Sequence, residues 1–492
     1  MNFTRDVVDA APAAREALIA IDAAGRRGVW TFGELSGAAG RLAGTLAAHG
    51  VRRGDVVMTV MGNRVEWVLT LLACFRMGAV ALPCTEQLRA KDLALRLRHA
   101  RPAAVVADAR NLGELRAAGP GCPVLEADDD ALLAGDAVPA AVLGPEDPAL
   151  VIFTSGTSGE PKAVLHGTRY LAGQALQAEH WLDARPGELV WCTAAAGWSK
   201  SARNTFIAPW LRGARALLHD ARFDPAQRLD LVEREGVDVL CMAPTEYRAI
   251  ANRATLRPVG LRTAVAAGEA LDAEAVRIWQ REAAVTIRDG YGQTETGAVT
   301  GMPAGAPVRT GRIGSMGRPL PGVRIDVRDG QLHVDPATVP TFFLRYLGHE
   351  PHAGWWPTGD LVERDDDGFL WFRGRADDII VSAGSRIGPA EVEGALASHP
   401  AVADAAVVGA PDPERGEVVR AVVVLRDGWA ADAALVRALQ EHVKAETAPY
   451  KYPRVVEFSA ALPRTVSGKL RRAELRRRAA VDSAPALWNR YR

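Results

Sequence analysis

The sequence predicts an α/β protein: a large N-terminal domain of doubly wound, mostly parallel sheet with a small β-rich lobe, followed by a compact α+β closing module. Three observations carry that expectation. Short apolar runs alternate with helical stripes through the first third of the chain and resume in the second. From about Gly311 the pattern changes to short strands broken by turns. And 492 residues exceed what one ordinary core accommodates, so the chain divides into two or more domains.

Thr31-Phe32-Gly33-Glu34 has the form of a capping box, and Leu35, Ala38, Ala39, Leu42 and Leu46 continue one helical face until Gly50 ends it. Residues 56–61 read as a strand, and Asn63 is placed to cap a second helix with Val65, Val68, Leu69, Leu72 and Phe75 inward and Gly78 at its close. Residues 79–82 are strand, 91–99 helix and 103–107 strand. Residues 108–147 turn polar, with Asp128-Asp129-Asp130 among them, and are expected to be a peripheral connection. Consecutive aspartates on a loop seldom converge on one metal ion. Strands are predicted again at 148–153, 190–193, 217–219, 237–242 and 263–267.

Beyond Gly311, turns at Pro321-Gly322, Asp329-Gly330 and Asp365-Asp366-Asp367-Gly368 mark the β-rich lobe. A closing module follows, with strand 379–381, helix 389–399, strands 402–408 and 418–425, and helix 434–446. The domain boundary is expected between Ala376 and Asp377, dividing the chain into 1–376 and 377–492.

Bulk properties exclude several classes. Lys plus Arg and Asp plus Glu both total 59, so no overall field favours nucleic acid or an anionic membrane. Cys74, Cys84, Cys122, Cys192 and Cys241 lack paired spacing for zinc or a disulfide framework and read as reduced residues of a cytoplasmic protein. The first twenty residues carry Arg5, Asp6, Asp9, Arg15 and Glu16, which interrupt any signal-peptide core. No apolar run is long enough to span a bilayer.

Four segments carry chemistry. The loop Thr154-Ser155-Gly156-Thr157-Ser158-Gly159-Glu160-Pro161-Lys162 follows a strand and concentrates hydroxyls, glycines and one lysine. Glycines let backbone N–H groups approach an anion, the hydroxyls add donors, and the lysine adds a compact charge, so the loop reads as a phosphate cradle. A Ser/Gly-rich linker is the alternative reading. In Asp289-Gly290-Tyr291-Gly292-Gln293-Thr294-Glu295, Tyr291 offers a face for a planar base, Thr294 a hydroxyl for phosphate and Glu295 a hard oxygen for Mg2+; a capped turn entering a helix is the alternative. Asp360, in Trp356-Pro357-Thr358-Gly359-Asp360, suits a ribose diol or an ordinary turn, and Lys469 stands on a Gly-containing loop near the chain's end.

Taken together, these motifs resemble the adenylate-forming superfamily of acyl-CoA synthetases, nonribosomal adenylation domains and luciferases. Gly197-Trp198-Ser199-Lys200-Ser201-Ala202-Arg203, Gly384-Ser385-Arg386-Ile387-Gly388 and Ala448-Pro449-Tyr450-Lys451-Tyr452 are similar to the medium-chain acyl-CoA synthetase branch. The resemblance implies an acid–thiol ligase that forms an acyl-adenylate from a medium-chain or aryl carboxylate with ATP and Mg2+ and passes the acyl group to CoA. It implies that Thr154, Ser155, Gly156, Thr157, Ser158, Gly159 and Lys162 hold the pyrophosphoryl portion, and that Gly268, Glu269, Ala270, Asp289, Gly290, Tyr291, Gly292 and Gln293 surround adenosine. Thr294 then meets the α-phosphate, Glu295 the Mg2+, Asp360 and Arg375 the ribose, and Lys469 bridges carboxylate and phosphate as the adenylation lysine.

For CoA the matching positions are Ala383, Gly384, Ser385, Arg386, Arg415, Lys444, Tyr452 and Gln87. Asp377 falls at the hinge of a mobile C-terminal domain, and Trp198 and Gly292 at the acyl pocket, where glycine in place of the tryptophan of acetate-specific relatives implies room for a longer acid. A carrier-protein thiol is the alternative acceptor, and a catalytically silent nucleotide-binding regulator is a rival from another class. The identity of the acid and the oligomeric state are not implied.

Overall fold

The structure is a computed structural model, and it describes residues 1–154, 161–269, 271, 273–304, 310–464, 470–481 and 488–489. Its chain packs as two compact units: Met1–Thr154, Pro161–Ile325 and Val334–Trp356 form the first, and the described residues of Asp326–His333 and Pro357–Arg492 the second. The predicted boundary at 376/377 thus lies within the second unit.

Two sheets build the first unit, and their neighbours follow from hydrophobicity. Val80–Cys84, Val239–Met242 and Thr263–Ala267 are buried at every position, as expected of parallel strands covered on both faces. Leu189–Cys192, Arg215–His219, Val239–Met242, Thr263–Ala267 and Ile287–Gln293 pair in parallel in one sheet, which Gly297–Gly301 extends antiparallel. The other sheet places Pro148–Thr154 between Val80–Cys84 and Lys162–Gly167, the latter antiparallel and bordered by Arg345–Tyr346. Both sheets therefore present their carboxyl ends, where the sequence concentrated its polar motifs.

The helix Phe32–Ala48 starts as predicted: the Thr31 hydroxyl accepts from Glu34 N, and the Glu34 carboxylate accepts from Thr31 N at 2.8 Å. Asn63 does not cap the helix Val65–Met77; the residue flanking that helix is Arg64, and the Asn63 amide bonds elsewhere, as described below. Residues 108–147 are more than a connection. They hold the helix Leu112–Ala118 and an edge strand, Val124–Glu126, that extends the parallel sheet. Asp128 of the aspartate run accepts from Arg64 at 2.5 Å, a structural ion pair. No helix among the described residues is long and apolar enough to cross a membrane.

The strand Trp356–Arg364, which belongs to the second unit from Pro357 onward, forms a hairpin with Leu370–Arg375 that sets Asp360 directly opposite Arg375. A further sheet runs through Ser385–Ile387, Ile380–Ser382, Gly416–Leu425 and Val455–Phe458, with Val402–Asp412 pairing Gly416–Leu425. The helices Pro389–Ala397 and Ala433–Glu446 bury Val392, Leu396, Leu435, Leu439 and Val443 in this unit's own core.

Candidate active site

Thr154 and Lys162 are register partners at the open end of an antiparallel pair, with Thr154 Oγ1 3.5 Å from Lys162 O. Ser155, Gly156, Thr157, Ser158 and Gly159 lie outside the described residues, as do Ala270 and Lys469. The Lys162 ammonium stands 5.0 Å from the centre of the Tyr346 ring, and the Tyr346 hydroxyl donates to Glu295 Oε1 at 2.9 Å. A continuous polar chain therefore joins the end of the phosphate-like loop to the expected Mg2+ ligand. Burial raises the Tyr346 pKa, and neighbouring Glu295 raises it further, so the phenol remains a donor. The sequence reading did not single out Tyr346; its only signal was an aromatic residue beside Arg345 on a two-residue edge strand.

The turn carrying Thr294 and Glu295 is fixed from several sides. Gln293 N donates to Thr296 Oγ1 at 3.0 Å, Thr341 Oγ1 donates to Thr296 O at 2.6 Å, and Phe343 N donates to Glu295 O at 2.8 Å. Trp356 Nε1 donates to Gln293 Oε1 at 2.9 Å. Gly290 and Gly301 face one another across the strand pair, and a Cβ on either would overlap the Trp181 ring. Gly292 is constrained differently: a Cβ there would overlap Gly297 O on the neighbouring strand. Close backbone approach at the Tyr291/Gly292 irregularity thus explains this glycine without reference to acid length.

Asp289 is buried, and its carboxylate accepts from Gly290 N at 2.9 Å. Burial pushes its pKa well up, opposed by that hydrogen bond and by the charge of Lys200. Lys200 is a second residue the sequence left without a role. Its Nζ donates to Ala267 O at 2.9 Å and stands 6.0 Å from the centre of the Trp198 ring, joining the Trp198 loop to the end of the strand Thr263–Ala267. Gly268 has φ +102°, and Glu269 beside it accepts from Thr245 Oγ1 at 2.6 Å. The Trp198 loop is held from behind by Asn63, whose amide donates to Ala194 O at 3.3 Å and accepts from Ala196 N at 2.8 Å.

In the second unit, Arg375 Nη1 meets Asp360 Oδ1 at 3.1 Å and Thr358 O at 3.1 Å, while its Nε meets Asp377 Oδ1 at 3.1 Å. One guanidinium spans the expected ribose carboxylate and the expected hinge residue. Burial opposes its charge, but the two carboxylates outweigh it and raise its pKa. Arg476 Nη1 bonds Asp378 Oδ1 at 2.5 Å, fastening the helix Arg472–Val481 beside Asp377.

Of the expected CoA positions, Ala383 N donates to Arg415 O at 3.0 Å, and Lys444 Nζ lies 4.4 Å from the Tyr452 ring centre. Gly384 and Ser385 continue the chain from Ala383, and Arg386 pairs with Val381. Gln87 belongs to the first unit and bonds its neighbour Glu86 at 3.4 Å. Among the described residues no group of three or more His, Cys, Asp or Glu converges as a metal cage. Glu295 offers a single carboxylate, which is compatible with a nucleotide-borne Mg2+, an ion that takes one or two carboxylates and leaves its remaining positions to phosphate and water.

The AMP-binding enzyme family matches residues 5–340, and the AMP-binding enzyme C-terminal domain matches 391–469. The chain is 36% identical to the acyl-CoA ligase YtcI of Bacillus subtilis, over 94% of this chain and 93% of that one. It is 34% identical to the mitochondrial acyl-coenzyme A synthetase ACSM3 of Homo sapiens, over 97% and 89%. The fold matches a benzoate CoA ligase from Burkholderia xenovorans LB400 with a TM-score of 0.86 at 27% identity, over 97% of this chain and 100% of that one.

Proposed function

The chain belongs to the AMP-binding enzyme family and is an ATP-dependent, AMP-forming acyl-CoA synthetase, and from that premise we propose which acids it takes and which residues do the work. The substrate is a medium-length or aryl carboxylic acid, and the acceptor is the thiol of CoA. The chain of Lys162, Tyr346 and Glu295 at the carboxyl edge of the sheets is the observation that supports the ATP-dependent step, while the acid class and the CoA acceptor rest on the relatives. It offers an ammonium and a preoriented carboxylate to a triphosphate, whose charge must be neutralised before another anion can approach it.

In the first half-reaction a carboxylate oxygen of the acid bonds to the α-phosphorus, and the bond to pyrophosphate breaks. Mg2+ carried with ATP screens phosphate charge when bound, and Glu295 is the ligand this chain provides. Thr294 donates to the α-phosphate, and Tyr291 with the Gly268–Glu269 corner receives adenosine. Asp360 takes the ribose hydroxyls. Lys469 donates across the carboxylate and phosphate oxygens. In the second half-reaction the CoA sulfur bonds to the acyl carbon, the C–O bond to AMP breaks, and the thiol proton passes to solvent.

Asp377 is the pivot between the two steps, with 377–492 as the moving part, and Ala383, Gly384, Ser385, Arg386, Arg415, Lys444, Tyr452 and Gln87 serve CoA. A reducing, cytoplasmic setting belongs to the same proposal, supported by five cysteines that are all free. The test separates the half-reactions. Lys469→Ala is expected to abolish pyrophosphate release from ATP and acid while sparing thioester formation from supplied acyl-adenylate; equal loss of both would end the division of labour. AMP release without a CoA thioester would redirect the acceptor to a carrier protein.

A further inference from the structure

Behind the Thr294 turn, six polar side chains are buried together: His166, Tyr170, Gln174, Gln177, Arg203 and Asn204, each at most 5% exposed. They come from the strand Lys162–Gly167, the helix Thr168–His180 and the π-helical turn Arg203–Ile207, a backbone form concentrated at functional sites. The His166 ring lies 4.0 Å from the Tyr170 ring, centre to centre, and the Tyr170 hydroxyl reaches Arg203 and Gln174. Gln177 Nε2 donates to Asn204 Oδ1 at 2.9 Å, and Gln174 Nε2 to Tyr170 O at 3.0 Å.

What these bonds leave over is instructive. Nε and Nη1 of Arg203 and the amide oxygens of Gln174 and Gln177 have no protein partner among the described residues. A guanidinium stripped of water and given no counter-charge is costly, and an apolar side chain of similar volume would serve packing better. Burial, reinforced by the charges of Arg203 and Arg169, lowers the His166 pKa to about 3, so the ring is neutral at pH 7 and supplies no counter-charge. It lies against the Thr294 backbone, which sets the cluster next to the reacting carboxylate's expected position. Arg203 belongs to the segment that starts at Trp198, the expected wall of the acid pocket.

We propose that this cluster is the closed end of the acid pocket, and that the substrate acid carries a second anionic oxygen group at its distal end, held by Arg203 and flanked by the Gln174 and Gln177 amides. The inference rests on the synthetase reading and narrows its substrate class to acids with two anionic ends, a dicarboxylate being the simplest.

The test is AMP release with ATP, Mg2+ and CoA for acids matched in length: suberate against octanoate, adipate against hexanoate, terephthalate against 4-methylbenzoate. The diacids are expected to exceed their partners in kcat/KM by about a hundredfold or more, because a site built for a polar group rejects the analogue lacking it. Arg203→Met should collapse that ratio chiefly by improving the monoacids, and Arg203→Lys should restore part of it. Monoacids matching or exceeding diacids with the unaltered protein overturns the inference, whether or not the variants fold. An unchanged ratio in Arg203→Met overturns the role of Arg203. AMP release with no acid at all removes the synthetase reading itself, and the inference with it.

Discussion

Glu295 and Arg203 carry opposite charges and are treated in opposite ways. Glu295 is half-buried and holds a hydrogen bond from Tyr346, which stands within cation–π distance of Lys162. Arg203 is 5% exposed and has two guanidinium nitrogens without a described partner. A group serving a hydrated ion must be aimed in advance yet remain wet, because the ion arrives with its water. A group serving part of an organic acid can be dry, because the acid must shed its own water to enter. In the roles proposed for the two residues, the contrast separates the ionic from the organic half of one site, and it can be attacked from either side.

The largest expected effect comes from the ionic side. Glu295→Ala should lower kcat for acid-dependent ATP–pyrophosphate exchange by about a hundredfold to a thousandfold, the range for removing a group aimed at developing charge. Titrating Mg2+ should not restore wild-type kcat. Tyr346→Phe keeps the ring under Lys162 and removes only the hydroxyl. A loss of about tenfold to a hundredfold is expected, as for other groups that orient a ligand residue. If Tyr346→Phe equals wild type in exchange rate, Glu295 is not oriented by this bond, and the contrast with Arg203 weakens.

The smaller prediction probes the dry side through pH. His166 is held near 3 in the folded protein against about 6.5 in an unfolded chain, so between those values the unfolded chain binds more protons. Its contribution to stability is therefore fully present above pH 6.5 and is lost as pH falls toward 3. The slope from this one group reaches at most about 1.4 kcal/mol per pH unit. Urea unfolding of wild type and His166→Leu across pH 4 to 7 should show a shallower pH dependence in the variant; parallel curves would mean the imidazole is not excluded from water.

How much of this was legible in the chain depended on whether the cause was local. The capping box at Thr31 and Glu34 is a matter of four consecutive residues, and it forms as read. Thr154 closes the strand that its apolar run predicts, and Glu295 follows a strand end, but the strand before it is Ile287–Gln293, so Asp289 lies buried within a strand and not after one. Asn63 was misjudged because an amide just before a helix has a tertiary competitor, the Ala194–Ala196 backbone, that spacing does not reveal. Gly292 was read as room for substrate, and the second demand on it, the carbonyl of Gly297 across the hairpin, was not visible in the sequence. The helix Leu112–Ala118 and strand Val124–Glu126 were hidden in a polar stretch, since an edge element needs few apolar residues. The Arg203 cluster joins two stretches, 166–177 and 203–204, that only tertiary packing brings together, and neither stretch alone signals it.

The Asn63 amide also warns those who would reshape this pocket. By donating to one carbonyl and accepting from one N–H of the Ala194–Ala196 backbone, it acts as a splint on a loop that is remote in sequence. With Trp198 as the proposed wall of the acid pocket, a selection for altered acid preference is expected to return changes at Asn63 as readily as changes at Trp198. The former will loosen the whole wall and broaden acceptance, whereas the latter redraw its outline and shift acceptance from one acid to another.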